Sequence, residues 1–248
     1  MQADDAVVFL VAILSGATAS IAGFGIGSLL TPLLAVRFGT ETAVAAVAVP
    51  HAIATAFRYV RLRHAVAWEV VRSFGLLSAV GGLAGALLYT RLTSRALTVI
   101  LGLLLIATAF TGLVGPTSRM SLPKPVVGAM GLASGFFGGI AGNQGGLRAA
   151  AMMSFALPAA AFVATSTAIG LMVDAARMPI YVWRSWGMLL PLATLIAVAT
   201  AGVVIGTLAG ERLLLGLSPS QFRRIVSVLI GLLGVWLLAS EISSYGGT

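Results

Sequence analysis

The chain has 248 residues, of which 59% are hydrophobic and 9% charged, and its mean hydropathy is +1.05. An average soluble domain is about 25% charged. Apolar surface on this scale has no place in a water-soluble core, so the chain reads as a polytopic all-α membrane protein with room for roughly eight segments of ~20 residues. The net charge of +8 comes from fifteen basic residues, fourteen of them arginine, against seven acidic ones. No contiguous basic face lies outside the apolar segments, which argues against a nucleic-acid partner. The expected partner is the lipid bilayer, with basic loops anchored to anionic headgroups. There is no cysteine, which removes disulfides, thiolate metal sites and thiol catalysis.

In chain order, the start Met1-Gln2-Ala3-Asp4-Asp5 is acidic where a secretory signal is basic, so the first apolar stretch is expected to be retained as structure. Apolar stretches follow at about 6–37, 40–60, 68–90 and 96–114. A connector at 115–125 contains Gly115, Pro116, Thr117, Ser118, Arg119 and Pro123-Lys124-Pro125, the composition of a loop. A second set runs at about 126–157, 159–181, 186–210 and 221–240. Four segments, a linker and four segments form an internal repeat: repeat 1 in 1–115, a polar linker at 116–125 and repeat 2 in 126–248. At an offset of 119, Ser15-Gly16 matches Ser134-Gly135, Ile21-Ala22-Gly23 matches Ile140-Ala141-Gly142, Gly27 falls on Gly146 and Arg58 on Arg177.

The first stretch of each half is over-long. Some 32 helical residues would measure ~48 Å, against a hydrocarbon core of ~30 Å. Each is interrupted near its middle by glycine, at Gly23-Phe24-Gly25-Ile26-Gly27 and at Gly142-Asn143-Gln144-Gly145-Gly146. Two half-helices meeting at a Gly-rich turn explain both facts, as a re-entrant hairpin or as one broken helix that crosses fully. With hairpins the halves are inverted and basic residues divide nine against five across the membrane; with full crossings they divide eight against six. The positive-inside rule tilts toward hairpins and inverted repeats. Gly81, Gly82 and Gly85, and Gly202 and Gly206, form small-residue faces that pack helices closely or, alternatively, pair two copies as a homodimer.

Irregular backbone at membrane depth survives only where protein buries it or water reaches it, and matched breaks in two halves point to the substrate site of a secondary transporter. Gly25 and Gly27, with Gly145 and Gly146, permit close backbone approach, and the N–H groups freed at a half-helix start favour an anion. Ser28, Asn143 and Gln144 add side-chain polarity. Arg148 follows directly, inside an embedded stretch where a charge costs ~2.5–3.5 kcal/mol on insertion scales; it reads as a partner for a small anionic substrate or for Asp174. His51 and Thr165-Ser166-Thr167 fall at matching depths in the two halves and would line the wall, with backbone hydrogen bonding as the alternative. Arg58, Asp174 and Arg177 read as a gate or as an interfacial ion pair near a helix end, Asp174 and Arg177 being neighbours on one helix face. No catalytic cluster, metal-ligand spacing or P-loop is present, so neither enzyme activity nor a cofactor is expected.

Ser15-Gly16 through Pro32, and Ser134-Gly135 through Arg148, resemble the repeated glycine-rich signature of the TauE/SafE sulfite exporter family, also called the TSUP family. The resemblance covers nearly the whole chain. The family pattern is small-x-x-Gly-x-Gly-Gly-Gly with a proline several residues on. Here Gly23, Gly25 and Gly27 alternate and Pro32 is kept, whereas Gly142, Gly145 and Gly146 are followed by Ala151 where Pro32 would align. The resemblance implies alternating-access transport of small sulfur-containing anions (sulfite, thiosulfate or organosulfonates such as sulfoacetate) across a bacterial cytoplasmic membrane. An anion channel, or a carrier of another small organic anion, is the alternative.

Overall fold

The computed structural model describes residues 3–22, 25–114, 123–143, 145–213 and 219–243. Among these every element is helical: α1 Ala3–Ala22, α2 Ile26–Phe38, α3 Thr40–Leu62, α4 Trp68–Tyr89 (with a π-helical turn at Val71–Gly75), α5 Ser94–Val114, α6 Lys124–Ala141, α7 Gly145–Met152, α8 Ala159–Leu189, α9 Ala193–Leu213 and α10 Pro219–Ser243. Five apolar helical stretches among the described residues are long enough to cross a membrane. One of them, Ala159–Gly210, has 52 residues and holds two helices, α8 and α9, separated by a 3₁₀ turn at Leu190–Leu192. The expected gap after residue 181 does not exist: α8 runs on through Val182–Ser185 to Leu189. Pro179 lies within α8, and the break comes only where Pro191 enters a 3₁₀ turn.

The over-long stretches resolve into unequal pairs. α1 stops at Ala22 and α2 starts at Ile26. α6 stops at Ala141 and the eight-residue α7 starts at Gly145. At ~1.5 Å per residue α7 spans only ~12 Å and α2 ~20 Å, too short to cross the hydrocarbon core. Two glycines hold left-sided backbone here: Gly25 at φ 138° and Gly142 at φ 71°. A β-carbon on Gly25 would sit 2.7 Å from Cγ2 of Thr18, so the chain leaving α1 doubles back beside that helix. Gly23, Phe24 and Gln144 lie outside the described residues.

Helix pairing crosses between the halves. α1 packs on α9, α6 on α4, α5 on α10 and α3 on α8. The small-residue faces serve these contacts within the chain. A β-carbon on Gly206 would collide with the carbonyl of Ile13, and one on Gly81 with the carbonyl of Leu132, 119 positions beyond Ile13. Gly16 meets Val203 O as Gly135 meets Ser78 O, again 119 positions apart. In lipid, apolar contact alone does not drive helices together, so close backbone approach and interhelical hydrogen bonds carry the packing. One such bond runs from Ser78 Oγ to Gly131 O at 2.9 Å. The core centres on α2, α3 and the inner faces of α5 and α8, where Ile26, Leu30, Leu101 and Tyr181 are buried. Leucine, valine and tryptophan side chains on the outer faces, such as Leu10, Leu103, Trp183 and Leu232, are exposed to the membrane side.

Candidate functional site

The two breaks meet. Gly27, in the first turn of α2, lies against the carbonyl oxygen of Gly142, which caps α6. Beside this contact Ser28 Oγ donates to Asn143 Oδ1 at 3.1 Å, joining residues 115 positions apart. Asn143 is buried, and the bond to its carboxamide oxygen leaves its Nδ2 as a buried donor with no acceptor among the described residues. Thr31 Oγ1, one turn further along α2, is likewise buried without a hydrogen-bond partner. An unmet buried polar atom costs ~1–3 kcal/mol, and two of them lie at this one junction.

The backbone adds to the same polarity. Leu29 N–H is bonded to Gly25 O at 3.1 Å, so the N–H groups before it in α2 have no intrahelical acceptor. α7 begins at Gly145, with the positive end of its dipole at the second break. Gly145 and Gly146 are buried, and Gly146 fits because a β-carbon there would meet the backbone of Thr108 at 2.9 Å. Glycine at 146 thus serves the seating of α7 on α5.

Arg148, the fourth residue of α7, is 3% exposed. Its Nη1 lies over Gly170 of α8, where a β-carbon would be at 3.1 Å. Thr55 of α3 borders the same spot. Arg58, Asp174 and Arg177 all act on Arg148 electrostatically.

Asp174 is the hub of the charged cluster. Its Oδ2 is 2.7 Å from His51 Nδ1, and its Oδ1 accepts from Arg177 Nε at 3.0 Å and Nη2 at 2.8 Å. Both residues of the Asp174–Arg177 pair are 1% exposed and lie in the middle of the 31-residue α8, so the pair is a buried one rather than an interfacial pair near a helix end. His51 binds a side chain of the other half, not backbone, with Thr55 Oγ1 at 3.5 Å.

Arg58 and Arg177 play matched parts. Arg58 Nη1 donates to Ala19 O at 2.6 Å, and Arg177 Nη1 donates to Gly138 O at 2.6 Å; each arginine reaches back 39 positions. Ala19 and Gly138 lie in the last turns of α1 and α6, at the negative end of each dipole, and Gly138 O also accepts the Gly142 N–H at 3.0 Å. Arg58 therefore ties the end of α1 to α3, and Arg177 the end of α6 to α8. Arg58 Nε also donates to Thr167 Oγ1 at 2.9 Å. Of the expected wall hydroxyls, Thr165 accepts the Ala67 N–H and Thr167 donates to Val163 O, so both support structure. Ser166 is buried in α8 between them.

Thr31 and Thr55 were not singled out by sequence reasoning. Each is a polar residue inside an apolar stretch, which is the signal the sequence offers for it.

The family described as Sulfite exporter TauE/SafE matches residues 8–237. No curated protein and no solved structure matches the chain.

Proposed function

Because the chain belongs to the sulfite exporter TauE/SafE family, a family of membrane transporters, we propose that it is a secondary transporter of small sulfur-containing anions such as sulfite, thiosulfate or sulfoacetate. The anion is held where the breaks meet, by Asn143 Nδ2, Thr31, the N–H groups at the start of α2 and the Arg148 guanidinium. Gly25, Gly27 and Ser28 shape one wall, and Asn143, Gly145 and Gly146 the other. The observation that carries this reading is the Asn143 carboxamide: its oxygen is held by Ser28 while its buried amide donor has no acceptor among the described residues. A sulfonate or sulfite oxygen supplies one.

Charge points the same way. Among the described buried residues, Arg58, Arg148 and Arg177 stand against Asp174 alone. A bound anion adds negative charge to this group.

The halves 1–115 and 126–248 are inverted repeats, in this reading, with the first stretch of each folded as a half-helix hairpin. Support comes from contacts that recur 119 positions apart, above all Arg58 with Ala19 and Arg177 with Gly138. Alternating access then arises as one repeat rocks on the other, with Arg58, His51, Asp174 and Arg177 as the polar links between moving parts. The membrane is the bacterial cytoplasmic one.

The test is uptake of [³⁵S]sulfite and labelled sulfoacetate into proteoliposomes. Saturable uptake that Asn143→Ala weakens supports a carrier with this site. Wild-type kinetics in Asn143→Ala and Arg148→Gln would remove the site assignment, and fast non-saturating flux would favour a channel.

A further inference from the structure

The halves fill the space beside their matched arginines differently. In the second half, the Arg177 guanidinium lies 5.6 Å from the ring centroid of Tyr181. The Tyr181 hydroxyl donates to Gly139 O at 2.5 Å, its ring packs on Tyr89 at 4.8 Å, and it is fully buried. In the first half, 119 positions earlier, Leu62 stands for Tyr181, Arg61 for Ile180 and Ser20 for Gly139. Without the phenol ring, a cavity of about 90 Å³ remains beside Arg58, lined by Ser20, Arg58, Arg61, Leu62, Thr207 and Leu208. That is about three times the ~30 Å³ share of one water in the liquid, enough for a compact oxyanion.

The lining suits an anion. Two guanidiniums face the cavity with no carboxylate among the lining residues. Arg58 is 6% exposed, and its Nε and Nη1 are committed to Thr167 and Ala19. The same side chain also lines the cavity. Thr207 Oγ1 is buried at the cavity wall with no hydrogen-bond partner among the described residues. Ser20 is already committed, donating to Thr207 O at 2.8 Å, and this bond holds that wall in place.

We propose that this cavity is an outer anion site, in which a small oxyanion is held between Arg58 and Arg61 with the Thr207 hydroxyl as donor, one step outside the central site. Naming the substrate as its ligand rests on the transport reading above; the site itself does not. Arg61 is exposed, Arg58 is 6% exposed and Arg148 3%. An anion moving inward along these three residues leaves water only as it gains charge-assisted hydrogen bonds. The closed counterpart at Tyr181 makes this access one-sided. A phospholipid phosphate presents the same oxyanion chemistry, and the choice of lipid in the test separates the two sources.

Equilibrium dialysis of the full chain with [³⁵S]sulfite, in phosphatidylcholine nanodiscs, reads the stoichiometry. The expected result is a second bound equivalent besides the central one. Leu62→Tyr, which puts in the residue carried by the second half, and Arg61→Gln, at an exposed position, should each remove only that second equivalent. Asn143→Ala should remove only the central one. Loss of the second equivalent when phosphatidylglycerol replaces phosphatidylcholine supports the same site with a lipid headgroup as its occupant. A single equivalent that survives Leu62→Tyr and Arg61→Gln but is lost in Asn143→Ala overturns the outer site and leaves the transport reading standing. A single equivalent lost in Leu62→Tyr and kept in Asn143→Ala supports the outer site and overturns the central one. No bound sulfite in either lipid overturns both.

Discussion

Gly27, in the first break, lies against the carbonyl oxygen of Gly142, in the second, so closely that a β-carbon at position 27 has no place to go. The obstacle is backbone, which cannot swing aside as a side chain can. Two segments 115 positions apart thus share one junction, and the polar groups of Ser28, Thr31 and Asn143 gather around it.

Gly27→Ala should force the breaks apart. Overpacking of a tight contact costs about 1–3 kcal/mol, and here the displaced group is the backbone beside Asn143. Thermal unfolding in detergent is expected to show the loss, with anion uptake reduced further than stability alone explains. An unshifted melting temperature would mean that the junction opens freely.

Asn143→Ala should lower kcat/KM for sulfite about ten- to hundredfold, since a hydrogen bond to a charged group contributes ~1.5–3 kcal/mol. Asn143→Asp should be worse, because a carboxylate repels the anion that the carboxamide attracts. Ser28→Ala should have a smaller effect, because it frees the carboxamide to rotate without removing its donor. Uptake kinetics of the three variants in proteoliposomes check the order; equal values for Ala and Asp would argue against an anion at this position.

Arg177→Gln leaves Asp174 buried with one of its two partners gone, and breaking a buried ion pair costs about 3–5 kcal/mol. Removing both charges in Asp174→Asn/Arg177→Gln should recover part of that loss, because no lone charge remains. Arg58→Gln, which loses bonds to Ala19 O and Thr167 but strands no carboxylate, should be milder than Arg177→Gln. Melting temperatures of these three variants, of Asp174→Asn alone and of the unchanged protein decide it: a double variant as unstable as the sum of its single changes would rule out the coupling.

Gly135→Ala and Gly187→Ala make a paired test of helix packing. A β-carbon at 135 would run into the Ser78 carbonyl, whereas nothing lies within 4 Å of one at 187. The first should destabilise by about 1–3 kcal/mol. The second should be neutral or gain up to ~0.5–1 kcal/mol from helix propensity. Detergent thermal-shift curves of the two variants suffice.

Much of this protein was legible in its residues. Hydropathy adds up residue by residue, so composition alone marked the chain as membrane-embedded and all-helical. Stretch length against bilayer thickness marked the first segment of each half as over-long, and the glycines at 25 and 142 lie where the helices stop. The offset of 119 matched Arg58 to Arg177. What that match meant was hidden, because the acceptors are backbone carbonyls of Ala19 and Gly138, and a carbonyl has no residue-type signature. Likewise the i, i+3 spacing announced Asp174 with Arg177, but only packing in three dimensions made the pair a buried one and brought in His51 from α3. The meeting of Gly27 with Gly142, the orphaned donor of Asn143, and the open cavity at Leu62 against the filled one at Tyr181 were decided by tertiary structure. They depend on how closely backbones far apart in sequence approach one another, and periodicity reports which face of a helix is apolar, not what that face will touch.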